Sequence, residues 1–348
     1  MNSVKRFADE IIKEAYELKA SDIHIVPRQH DAVIELRMDR DLATRHVIAK
    51  AFSERLVSHF KFLGSMDIGE KRKPQNGALE IQFGDAFIGL RLSTLPTLND
   101  ESLVIRIHPQ VNVPPLSQLS MFPNSAKTLV SFLKHSHGLL IFTGPTGSGK
   151  TTTMYSLLQT AQRELKRRIV TLEDPVEKRS DGMLQIQINE RAGVTYAAGL
   201  KAILRHDPDI ILVGEIRDEE TAKVAVRASL TGHLVMTTLH TNDAKGAILR
   251  LLDFHITQAE VEQSLLAVAA QRLVEMKCPF CKGNCSSLCK KMRKVRRLSV
   301  YELLYGQDLK KVLQEARGEK ADYHYLTLSK MMSRGYALGF INKDSLSQ

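Results

Sequence analysis

The sequence predicts two domains: a larger α/β domain on a mostly parallel sheet, preceded by a smaller α+β domain. Three observations carry this. After about residue 125, short apolar runs alternate with helix-like segments, whereas the first third is rich in strand-like runs. A glycine-rich octapeptide, Gly144, Pro145, Thr146, Gly147, Ser148, Gly149, Lys150 and Thr151, sits between one such apolar run and a helix-like segment. Between the two regions Pro109, Pro114 and Pro115 crowd together, which suits a linker or a stiff connection. The expected boundaries are 1–110 for the first domain, 111–120 for the linker and 121–348 for the second domain. The second is expected to carry a metal-binding insert near 278–289 and a helical C-terminal region.

In the first domain, Val4, Phe7, Ala8, Ile11, Ile12, Ala15 and Leu18 recur at helical spacing, the pattern of a core-facing helix. Strands are expected over 23–26, 32–38, 78–83, 87–92 and 103–107, and a helix over about 47–62. In the second domain, strands are expected over 139–142, 169–172, 210–213 and 234–239. Helices are expected from Lys150 and over 196–205 and 219–230.

Composition narrows the function. The 348 residues are 43% hydrophobic, enough to bury real cores. No apolar run approaches the roughly 18 residues that cross a bilayer. Asp9, Glu10 and Glu14 interrupt the N-terminus, so no secretory leader is expected. The expected location is the cytosol, or a membrane face reached through a partner. A net charge of +10 suits nucleic acid, an anionic membrane or a nucleotide equally well. With no tryptophan and 6% aromatic residues, there is little material for stacking bases.

The octapeptide fits G-x-x-x-x-G-K-[ST]. Its glycines allow a backbone path that turns several N–H groups toward phosphate oxygens, and the following helix adds its positive end. Lys150 is expected to neutralise the β and γ phosphates. Thr151 is expected to ligate Mg²⁺, with Thr152 beside it in the same helical turn. A second acid, Glu215, emerges at the end of the 210–213 strand, where α/β sheets bind ligands. It is expected to hold the metal's water shell. Glu173, after the 169–172 strand, is placed to orient an attacking water. His240 ends another strand, and an imidazole there can sense the γ phosphate.

Together these runs resemble the secretion ATPase superfamily of type II secretion and type IV pilus systems. Residues 144–151 match its Walker A motif. Glu173, Asp174 and Glu177 match its Asp box. Gly214 and Glu215 match its unusual Walker B motif, and His233 and His240 its His box. In the first domain Ser21, Asp22, Ile23 and His24, the Pro74–Gly77 loop, and the strands around Arg91 and Arg106 match as well. The resemblance implies a RecA-like P-loop domain behind a smaller PAS-like domain, with ATP and Mg²⁺ as ligands. It implies that Arg91 and Arg106 act as arginine fingers. It further implies a homo-oligomer, a hexameric ring, peripheral to the inner face of the cytoplasmic membrane. The ring would dock on a polytopic inner-membrane platform protein and act indirectly on pilin-like subunits, with no direct DNA binding expected. The short chain is most similar to the competence branch of Gram-positive bacteria, which supports assembly of a pseudopilus for DNA uptake. A type II secretion motor, a pilus retraction motor and, from another class, a nucleic-acid translocase are the alternatives. Two departures, Ala78 and Arg40, put contacts of the first domain in question.

Cys278, Cys281, Cys285 and Cys289 supply four thiols in one short stretch, and these are all the cysteines of the chain. Four thiolates suit a closed, structural zinc site; four reduced thiols, or disulfides formed after lysis, are the alternatives. The adjacent run of Lys290, Lys291, Arg293, Lys294, Arg296 and Arg297 is either a solvated face or a contact with anionic lipid or nucleic acid.

Overall fold

The computed structural model describes residues 3–18, 20–38, 41–83, 86–109, 113–281, 289 and 296–343. The chain divides into two compact units, Met1–Asn112 with Glu177–Arg179, and Val113–Val176 with Ser180–Gln348.

The first unit runs α1 (Ser3–Glu17), β1 (Asp22–Pro27), β2 (Asp31–Met38), β3 (Asp41–Ala49), α2 (Lys50–Leu63), β4 (Gln75–Phe83), β5 (Ala86–Thr97) and β6 (Asp100–Pro109). Its strands form one sheet in the order β3-β2-β1-β6-β5-β4, with every neighbouring pair antiparallel. The apolar stripe of α1 (Val4, Ala8, Ile11, Ile12, Ala15) and that of α2 (Leu56, Val57, Phe60) are buried against alternate strand residues such as Ile23, Ile25, Leu90, Leu92 and Ile105. This is the α+β layer that alternation and helical spacing predict. The expected helix over 47–62 starts later, because residues up to Ala49 form β3. That edge strand has no fully buried residue, so its apolar face is weak. Arg40 lies outside the described residues.

The second unit opens with α3 (Leu116–Leu119) and α4 (Pro123–Phe132), then β7 (Gly138–Thr143), α5 (Lys150–Glu164), β8 (Ile169–Glu173), β9 (Leu184–Gln187) and α6 (Tyr196–Ile203). There follow β10 (Ile210–Val213), α7 (Glu219–Leu230), β11 (Leu234–Leu239), α8 (Ala244–Asp253), α9 (Gln258–Ser264), β12 (Leu265–Glu275), β13 (Arg297–Tyr305), α10 (Gly306–Ala316) and α11 (Leu328–Ala337). Residues 113–120 belong to this unit, and Val113 and Leu116 are buried in its core.

Its sheet has the order β13-β12-β7-β11-β10-β8-β9, parallel throughout except for β13, which pairs antiparallel with β12. β7, β8, β10 and β11 are buried at every residue, as strands covered on both faces must be. Leu139 and Ile141 of β7 point into one core, Leu140 and Phe142 into the other. The parallel strands all end at one edge of the sheet, with β7 at the point where the chain's strand order reverses. That edge is where a doubly covered sheet receives a ligand.

Candidate functional site

The loop after β7 has the left-handed turns that only glycine adopts easily: φ is 139° at Gly144, 79° at Gly147 and 87° at Gly149. Pro145, Thr146 and Gly147 are exposed, while Ser148 and Lys150 are buried. Lys150 Nζ lies across the loop and donates to the carbonyls of Gly144 (2.7 Å) and Pro145 (3.1 Å). Its ammonium is thereby placed over the loop, at the N-terminus of α5. Thr151 and Thr152 are half-buried in the first turn of that helix. A nest of backbone N–H groups, a lysine and a helix N-terminus together accept an anion of phosphate type.

Glu215 stands just past β10. Its carboxylate accepts from Arg217 through Oε1, and Oε2 meets His240 Nε2 at 3.1 Å. Burial pushes the Glu215 carboxyl up, but the hydrogen bonds and charges of Arg217 and His240 outweigh it and hold the carboxyl below the ordinary glutamate value. The group is therefore ionised at neutral pH, as a metal's water shell requires. Arg217 also lies 3.8 Å from Asp174, and its hydrogen bond to Glu215 raises the guanidinium further. Gly214, where a P-loop ATPase ordinarily has aspartate, is a crowded position for a side chain. A Cβ there would lie 3.0 Å from Tyr196 Oη and 3.3 Å from the Leu172 carbonyl.

Glu173 ends β8 but is buried, at 4% exposure. Tyr155 of α5 donates to both carboxylate oxygens, at 2.8 and 2.9 Å, and Thr171 Oγ1 donates at 2.7 Å. Gln185 of β9 donates in turn to Tyr155 Oη at 3.0 Å. The carboxylate expected to orient a water is thus an ordered, buried group anchored by the helix that follows the glycine-rich loop.

β11 brings the two histidines to opposite ends. His240 joins Glu215 at the ligand-binding edge. His233 sits at the far end, where its ring meets the Ala228 carbonyl at 3.2 Å, and takes no part. Thr238 Oγ1 donates to the Gly214 carbonyl at 2.8 Å, and Thr143 Oγ1 contacts the Leu239 carbonyl at 3.0 Å and Thr241. These bonds tie the strand ends of the loop, of Glu215 and of His240 to one another.

In the first unit Arg91 of β5 and Arg106 of β6 are directly opposed across the ladder, so their side chains leave the same face. Like charges so placed repel. Each is met by an acid: Arg106 Nε donates to Asp22 at 2.8 Å, and Arg91 lies 3.6 Å from Glu177. The partner of Arg106 is the aspartate of the Ser21–His24 motif, whose carboxyl is lifted by burial but lowered further by Arg106 and Ser21.

The cysteines make a separate cluster. Cys289 Sγ lies 3.6 Å from Cys278 Sγ and 3.4 Å from Cys281 Sγ, and all three sulfurs fall within 4.8 Å of one another. Two thiolates on a tetrahedral zinc are about 3.8 Å apart, given Zn–S bonds of about 2.3 Å, so the spacing fits zinc. The Cys281 N–H points at Cys278 Sγ at 3.4 Å. Cys285, Lys290, Lys291, Arg293 and Lys294 lie outside the described residues. No described helix is long and apolar enough to cross a membrane.

Tyr155, Tyr196, Arg217 and Gln271 surround the site without having been expected there. Arg217, two residues from Glu215, was the most legible of them. The tyrosines read as ordinary core residues.

A parallel sheet bearing this loop, with acids at the ends of its neighbouring strands, defines a P-loop nucleotide-binding domain. The family of Type II/IV secretion system proteins matches residues 1–341, and the chain belongs to that family. Among its relatives, the competence protein ComGA of Bacillus subtilis (strain 168) is 59% identical over 346 residues, 99% of this chain and 97% of that protein. Type II secretion system protein E of Pseudomonas aeruginosa is 44% identical over 278 residues, 80% of this chain and 55% of that protein. Among solved structures, the pilus retraction motor PilT with bound ADP aligns with a TM-score of 0.73 at 24% identity, over 97% of this chain and 95% of that one. At that identity the likeness concerns the fold.

Proposed function

We propose that this protein is an ATP-hydrolysing motor that powers assembly of a competence pseudopilus, a type IV pilus-like filament used in DNA uptake. The observation that carries the reading is the convergence of the phosphate loop, Glu173, Glu215 and His240 at one sheet edge. Full-length similarity to a competence protein supports the filament assignment. In the proposed mechanism the loop N–H groups and Lys150 hold the β and γ phosphates. Thr151 and, through its water shell, Glu215 would hold Mg²⁺, which when bound would supply charge neutralisation at the phosphates. Glu173 orients the attacking water, and His240, through its bond to Glu215, reports the γ phosphate. Arg91 and Arg106 supply positive charge for the transition state. The motor works as a hexamer on the cytoplasmic side of the membrane, docked on a polytopic platform protein.

Hydrolysis by the purified protein with and without DNA tests this. Turnover that is slow and indifferent to DNA is the expected result. Stimulation by DNA of more than about tenfold would replace the filament motor with a nucleic-acid translocase.

We further propose that Cys278, Cys281, Cys285 and Cys289 hold a structural zinc. Just before Cys278, the Lys277 N–H donates to the Phe340 carbonyl at 2.7 Å, and Met276 pairs with Ile341. Zinc would therefore hold the loop that fastens the segment after α11. Elemental analysis should find about one zinc per chain, and a Cys281→Ser variant should lose it together with thermal stability. Protein with free thiols, no metal and an unchanged melting temperature would refute the site.

A further inference from the structure

Gln271 of β12 is fully buried beneath the phosphate loop. Burying an amide costs free energy unless its polar atoms are satisfied. Here Nε2 donates to the Ser148 carbonyl at 2.7 Å and to Ser299 Oγ at 2.9 Å, while Oε1 has no partner among the described residues. The opposite orientation would set Oε1 against the Ser148 carbonyl, acceptor against acceptor. The glutamine therefore serves the loop as a donor and leaves its acceptor unused.

The same residue closes on both ends of the loop. A Cβ on Gly144 would lie 2.4 Å from the Gln271 carbonyl oxygen, and one on Gly149 would lie 3.0 Å from its Nε2. Gly144 is thus demanded by this neighbour's backbone as well as by its positive φ, and Gly149, held by its own positive φ, is crowded by the amide. The β12–β13 ladder places the supports: Gln271 is opposite Tyr301 and Leu273 opposite Ser299. Tyr301 Oη meets Thr153 Oγ1 at 2.9 Å, fixing the first turn of α5 to the same platform.

A trans peptide aims its carbonyl and the following N–H in opposite directions. With the Ser148 carbonyl drawn onto Gln271, the Gly149 N–H must face away from β12, toward the anion cradle. We propose that Gln271 is a positioning residue that fixes the Ser148–Gly149 peptide with its N–H toward the phosphates before nucleotide arrives. The inference rests on the reading of residues 144–151 as the phosphate site. Preorganised donors of this kind bind without first having to turn.

Gln271→Met keeps the length of the side chain and removes the donor. Mg-ADP should then bind about tenfold more weakly, the effect of one well-placed hydrogen bond. KM for ATP should rise by a similar factor, while kcat at saturation changes by less than about threefold. Ser299→Ala, which loosens the far side of the amide, should weaken ADP binding in the same direction by about twofold to threefold. A folded Gln271→Met protein with wild-type ADP affinity and KM would overturn the proposal. If that variant does not fold, unchanged ADP affinity in Ser299→Ala overturns it instead. Lys150→Ala separates this inference from the reading beneath it. Loss of ADP binding there, with none in Gln271→Met, sinks only the role of Gln271. Retention in Lys150→Ala sinks the phosphate site itself.

Discussion

A Lys150→Ala variant should hydrolyse ATP at least about 10²-fold to 10³-fold more slowly than the unaltered protein, the scale set by loss of one preorganised charge donor. The structure shows how closely Lys150 is fitted to the loop. Lys150 is buried to 8% exposure, its ammonium is within hydrogen-bond reach of the loop carbonyls, and it begins the helix whose positive end faces the same space. Arg272, whose guanidinium also borders Gly144, donates to the carbonyls of Gln271 and Asn242 and is held to them. Lys150→Met separates charge from packing, because its apolar side chain fills similar space. Both variants should stay folded and lose turnover alike. Wild-type turnover in either would remove the phosphate site, and with it the motor.

The motif residues were legible because their chemistry dictates local backbone. A glycine-rich loop between an apolar strand and a helix has few other uses, and Gly144 and Gly149 do adopt positive φ. The fully buried strands β7, β10 and β11 were legible as short apolar runs for the same reason: lying covered on both faces leaves them no polar alternation. What escaped was set by tertiary contact. β3 is exposed or half-buried along its length, with no fully buried residue, and carries no period. β12, rich in alanine, gave no β-branched run, although it underlies the loop. Tyr155 looks like any core tyrosine on α5 until the fold lays it over Glu173. The opposition of Arg91 and Arg106 depends on the β5–β6 register, which residue spacing alone does not specify. The absent aspartate at Gly214 was visible in the sequence, but the Tyr196 hydroxyl that crowds the position was not.

Glu173→Gln is expected to lower kcat by about 10²-fold to 10⁴-fold with little change in KM, the range for a side chain that assists proton transfer or positions the nucleophile. Glutamine keeps the shape and one oxygen, so the bond from Tyr155 survives and the fold should hold. An ionised carboxylate offers about four acceptor sites, and Tyr155 and Thr171 both donate to this one. Burial favours the role, because a carboxylate held in one orientation directs a water better than a mobile one. The competing assignment is Glu215, which is ionised and bonded to His240 at the same edge. A matched Glu215→Gln variant decides between them. If Glu215→Gln alone abolishes turnover while Glu173→Gln retains it and melts at a lower temperature, Glu173 is an anchor of α5 on β8. The water then belongs to Glu215. If Glu173→Gln loses turnover at an unchanged melting temperature, the carboxylate under Tyr155 is the group that aims the water.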